Sequence, residues 1–135
     1  MQSPKKIKAI AFISMFFAFP ICNAATDSDV HLANGNALLA VCGDYINSVD
    51  RGGTLSEKDV VMAATCTSYI RGFSHGVSLI STERKESKGY CINESVSALQ
   101  IARVLVEYLR DNPQILHFHA AILTGRALRT GFPCR

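Results

Sequence analysis

This chain lacks the motifs with which small proteins usually hold a metal or a phosphate, and the turn that presents a serine nucleophile. It has no Cys-x-x-Cys and no His-x-x-x-His, so a zinc site has no framework. No glycine-rich loop is placed to cradle a phosphate. Ser74, the one serine beside a histidine, falls inside a helical stretch, not on the strand-to-helix turn that a serine nucleophile needs. No stretch alternates apolar and polar residues over a useful length, which argues against a sheet. Beyond residue 24 no apolar run is long and clean enough to span a bilayer.

A surplus of positive charge is missing as well, once the first residues are set apart. Lys5, Lys6 and Lys8 precede the apolar run from Ala9 to Phe19, and Pro20 ends it. Cys22-Asn23-Ala24 then sets small residues at the positions a signal peptidase reads. This predicts a cleaved export signal over residues 1–24 and a single domain over 25–135. The bulky Ile21 just before Cys22 argues against a lipid anchor there. Three of the fourteen basic residues lie in the leader, leaving eleven to balance eleven acidic ones. The formal charge of +3 therefore falls to zero, and no basic stripe remains for nucleic acid.

Four cysteines remain after the leader. Cys42 and Cys66 lie equally far from Thr54, and Cys91 and Cys134 nearly equally far from Asn112-Pro113. Four cysteines allow three pairings. If each midpoint is the turn of an antiparallel helical hairpin, the geometry selects Cys42–Cys66 and Cys91–Cys134. An exported domain this small commonly gains stability from such bridges, roughly 3 kcal/mol each.

Helical periodicity fills the intervals. Asn34-Gly35-Asn36 offers caps for a first helix, with Leu38, Leu39, Cys42, Tyr45, Ile46 and Val49 at helical spacing. Ser56 to Asp59 has the shape of a capping box. A second helix is expected over about 57–80, its core stripe being Ala63, Cys66, Ile70, Phe73, Val77 and Ile80. Ser68, Gly72 and Gly76 form a second row of small residues. Each glycine costs about 1 kcal/mol relative to alanine in a helix, so another backbone is expected close by, within the subunit or across a subunit interface. Ser81 to Gly89 is strongly charged and reads as a solvated loop. Ser97 and Gln100 form another capping box, with Val96 and Ile101 placed as a hydrophobic staple for a central third helix. Asn112 and Pro113 are expected to open a fourth helix carrying Ile115, Leu116, His119, Ile122, Leu123, Ala127 and Leu128. The predicted fold is all-α, a small bundle of two helical hairpins with four to five helices, closed by two disulfides.

Little is left for catalysis. On one helix His117 and His119 would point roughly 160° apart and could not clamp one ion, and His75 stands alone. With every cysteine after the leader paired, no thiol nucleophile is free. The expectation is a binding protein with no cofactor, no metal and no enzymatic activity.

The residues also resemble a known family. The ordered set runs from Gly35 to Leu39 with Cys42, through Ala63 to Cys66 with Tyr69 to Gly72, to Tyr90-Cys91-Ile92. It continues through Gln100, Val106 to Leu109, Asn112-Pro113, Leu116-His117, Ala120-Ala121 and Ala127-Leu128, and ends at Phe132-Pro133-Cys134. In this it resembles the periplasmic immunity proteins that protect bacteria from type VI secretion amidase effectors, the Rap/Tai group. Asn93 stands where relatives commonly have proline. The resemblance implies a periplasmic homodimer whose partner is a cell-wall amidase, occluded at its active-site cleft. The contact residues would be Glu83, Arg84, Lys85, Glu86 and Lys88, in the stretch for which no family pattern is matched. The competing expectation is a periplasmic helical acid-stress chaperone, which the few and balanced acidic residues weaken. A structural subunit of an envelope complex finds no positive sign.

Overall fold

Asn34 opens the first helix by accepting a hydrogen bond from the Ala37 N–H at 3.1 Å. The computed structural model describes residues 32–134; the leader, its cleavage point and the arm before Leu32 lie outside the described residues. Helix α1 spans Gly35–Arg51, α2 Glu57–Arg84, α3 Ala98–Asp111 and α4 Ala120–Gly131, with a short 3-10 turn at Pro113–Ile115. No strand occurs among the described residues.

The expected capping boxes form. The Ser56 hydroxyl accepts from the Asp59 N–H, and the Asp59 carboxylate accepts from the Ser56 N–H. Ser97 and Gln100 repeat the exchange at α3. Each box satisfies two N–H groups that a helix start leaves unpaired. Together they decide where α2 and α3 begin.

The two hairpins close as their spacing predicts. Cys42 bridges to Cys66 across α1 and α2, with Cα atoms 5.2 Å apart. Cys91 bridges to Cys134, with Cα atoms 4.9 Å apart. The first bridge is buried; the second is exposed at one end of the bundle. Helix α3 is central, packed against the other three. Its Ala102, Leu105, Val106 and Leu109 meet Leu38 and Ile46 of α1, Ile70 of α2 and Leu123 and Leu128 of α4 in one core. Each fully buried leucine contributes about 1.5–3 kcal/mol relative to exposure.

Several local expectations are corrected. Helix α2 does not stop near residue 80: it continues to Arg84, where Lys85 takes a left-handed conformation and Glu86 N–H donates to Ser81 C=O at 3.0 Å. Glu, Arg and Lys are good helix formers, and solvation alone did not end the helix. Ile80, placed in the core stripe, is exposed.

The fourth helix does not start at Pro113. The helical run is interrupted between Ile115 and Ala120, where Ala33 and the first turn of α1 take over its backbone. Gly35 N–H donates to Phe118 C=O at 3.1 Å, Asn36 N–H to Leu116 C=O at 3.2 Å, and Ala120 N–H to Ala33 C=O at 3.1 Å. Gly35 permits this approach, since a Cβ there would come within 2.9 Å of the Leu116 carbonyl oxygen and collide with Leu123. Asn112 accordingly caps the end of α3 by donating to Tyr108 C=O, not the start of α4. His117 and His119 are not on a helix; His119 caps α4, its Nδ1 accepting from Ala121 N–H.

The last correction concerns Gly72 and Gly76. Among the described residues, no atom beyond the helix's own backbone lies within 4 Å of a Cβ built at either. Packing against the described residues is therefore not their reason.

Candidate functional site

Helix α2 is eleven residues longer than α1, about 16 Å at 1.5 Å per residue. Its only fully buried residues are Cys66 and Ile70, so its C-terminal part stands out from the core. The chain then turns back through residues 85–97 to α3. Three devices hold this return. Tyr90 is buried, only 6% exposed. Cys91 is bridged to Cys134, and its N–H donates to Phe132 C=O at 2.8 Å. An Asn93 turn and the Ser97 cap then lead into α3.

The five expected contact residues divide across this corner. Glu83 and Arg84 occupy the last turn of α2, Lys85 the left-handed closing position, and Glu86 and Lys88 the loop. All five are exposed, and among the described residues none forms an ion pair within 4.0 Å. The side chains of Lys85, Glu86 and Lys88 line a groove of about 1150 Å³ between α2 and residues 86–98, while Glu83 and Arg84 lie outside it.

The groove was not foreseen from the sequence. On its α2 side stand Arg71, Ser74, His75, Ser78 and Ser81. At its floor the hydroxyls of Ser74 and Tyr90 are buried side by side, and among the described residues neither completes a well-aligned hydrogen bond. Burial pushes the Tyr90 phenol above its ordinary value, and the neighbouring Ser74 hydroxyl partly offsets the rise. The serines recur at steps of four and three, which places them on one helical face; that was the available signal. Gly72-Phe73-Ser74-His75-Gly76 spells the letters of a nucleophile elbow, yet it lies within one continuous helix. The strained turn that would lift a serine nucleophile is not there.

A second surface runs along the side of α2. Val61, Thr65, Ser68, Gly72, Gly76 and Leu79 fall on one stripe by the helical repeat. Val61 is 46% and Leu79 61% exposed, with small residues and open space between them. Among the described residues no three His, Cys, Asp or Glu side chains gather as metal ligands, and no helix is long and apolar enough to cross a membrane.

A family model of the Rap1a immunity proteins matches residues 34–134. No curated protein and no solved structure matches the chain. The matched span begins at the α1 cap and ends at the last bridged cysteine, so it takes in all four helices and both disulfides. The chain belongs to the Rap1a immunity protein family, a type VI effector immunity family whose members bind a partner effector protein.

Proposed function

We propose that this chain is a periplasmic immunity protein that occludes the active-site cleft of a type VI secretion peptidoglycan amidase and so protects the producing cell or its kin. The leader over residues 1–24 would carry it across the inner membrane and be cleaved after Ala24. It turns over no substrate itself. The observation that carries the reading, beyond family membership, is the charged corner at the end of α2. Its side chains are exposed and unpaired among the described residues, while its backbone is held by Tyr90, the Cys91–Cys134 bridge and the α2 closing turn. A pre-ordered loop loses little conformational entropy on binding. Its charges would steer encounter and partner choice more than they add affinity.

The reading includes a homodimer formed through the glycine stripe of α2. An antiparallel second copy sets Val61 of one protomer against Leu79 of its partner, and Gly72 and Gly76 let the two helices approach closely.

The test co-expresses the chain with an amidase of this class, both exported to the periplasm. Serine replaces Lys85, Glu86 and Lys88 together, which keeps the chain length and leaves α2 intact. Loss of protection by a variant with unchanged circular dichroism is expected. Full protection by that variant would remove the corner from the contact, and lysis despite the unmodified chain would refute the amidase assignment.

A further inference from the structure

We propose that the Cys91–Cys134 bridge is a redox-sensitive tether. A dithiol reductant opens it while Cys42–Cys66 stays closed, and its opening loosens the charged corner without unfolding the helices. That a loosened corner weakens the hold on a partner rests on the immunity reading above.

The two bridges differ in access. Cys42 and Cys66 are 0% exposed, inside the core that holds Leu38, Ile70 and Leu105. Cys91 and Cys134 are both exposed among the described residues, and both line the groove between α2 and residues 86–98. Exchange needs a thiolate to reach a bridge sulfur. At Cys91–Cys134 the attacking group arrives from solvent. At Cys42–Cys66 the core must open first, and core segments open at a free energy close to that of global unfolding.

The exchange balances between the protein and the dithiol. One thiolate of the dithiol attacks a bridge sulfur, forms a mixed disulfide and releases the other cysteine as a thiolate. The second thiolate of the dithiol displaces the first cysteine and closes its own disulfide. Two electrons pass to the protein, and the two protons that the dithiol loses end on Cys91 and Cys134.

This bridge holds little of the core and much of the return between α2 and α3. Among the buried apolar residues described, only Tyr90 lies outside the helices. Opening the bridge therefore leaves the helix packing and the buried bridge in place. From Lys85 to Ser97 Tyr90 is also the one buried residue. Without the bridge, the link from this return to the chain beyond α4 falls to the hydrogen bond from Cys91 N–H to Phe132 C=O. A single bond of that kind is a weak hold, so the corner gains freedom that a partner must remove again on binding.

The experiment adds dithiothreitol to the purified two-bridge protein, quenches samples with N-ethylmaleimide and assigns the labels by peptide mass spectrometry. Cys91 and Cys134 should be labelled together, at least ~10-fold faster than Cys42 and Cys66. The one-bridge form should keep the far-UV circular dichroism of the parent. Its amide exchange at Cys91 should rise at least ~10-fold, with that of Leu105 unchanged. The Cys91→Ser, Cys134→Ser double variant, which cannot re-form the bridge, should reproduce that exchange pattern. Affinity of the one-bridge form for the amidase should fall at least ~10-fold. Labelling of all four cysteines together, or of Cys42 and Cys66 first, would overturn the proposal. So would a one-bridge form that unfolds, exchanges as the parent does or binds the amidase equally well. Failure of the two-bridge protein to bind the amidase would overturn the immunity reading instead, with the labelling order and the amide exchange still deciding the tether.

Discussion

Replacing Gly72 and Gly76 together by alanine should change two properties in opposite directions. Among the described residues, neither site has an atom beyond the helix's own backbone within 4 Å of the added methyl group. Each alanine should therefore deliver the full difference in helix propensity, about 1 kcal/mol. The sum of about 2 kcal/mol corresponds to a rise of roughly 8–16 °C in the Tm of the monomer for a domain of this size. The same methyl groups would hold two α2 helices apart at their crossing and weaken the dimer. Sedimentation velocity over a dilution series reads the second effect, and thermal unfolding at a concentration where the parent is monomeric reads the first. The expected pair is a more stable monomer and a weaker dimer. A variant that dimerises as tightly as the parent would refute the assignment of this face. A monomer that loses stability would refute the claim that the space beside the glycines is open.

Leu109 is fully buried at the meeting of the helices, so Leu109→Ala should cost about 2–5 kcal/mol in urea unfolding. Replacing Cys91 and Cys134 by serine releases a 43-residue separation and should cost about 4 kcal/mol by loop entropy, seen as a lower urea midpoint. The Cys91 N–H to Phe132 hydrogen bond should lose exchange protection in the same variant, since the bridge holds that pairing in place. Acid should act through the α1–α2 turn. The Asp59 carboxyl is lowered to about 2, first by the Ser56 hydroxyl, then by the Ser56 N–H and Arg51. Because its folded value lies below the ordinary 3.8, its contribution is present above that pH and is lost as pH falls toward 2. Asp59→Asn should flatten the stability profile in that window, measured by urea unfolding at successive pH values.

Local chemistry was legible wherever neighbouring residues settle it. The Ser56 and Ser97 boxes, the Asn34 cap and the amphipathic pattern of α3 could be read directly, because a cap needs only residues three apart. Both disulfides followed from hairpin symmetry. The break before α4 could not be read in this way, since it depends on Ala33 and Gly35 meeting residues some 80 positions away. Nor does the sequence place the end of α2, because a charged, solvated stretch can be loop or helix and the residues 81–84 continue the helix. The groove was missed for the same reason: Tyr90 and Ser74 gain their significance only when two distant elements close over them.

The order of residues alone therefore set the helical class, the thiol pairing and the starts of the first three helices, because caps, periodicity and turn symmetry act over a few positions. Which face of α2 is left open, where the arm interrupts the fourth helix, and which hydroxyls lie buried together were decided in three dimensions. Those outcomes depend on which surfaces the packed helices cover, and coverage is a property of the assembled bundle rather than of any one segment.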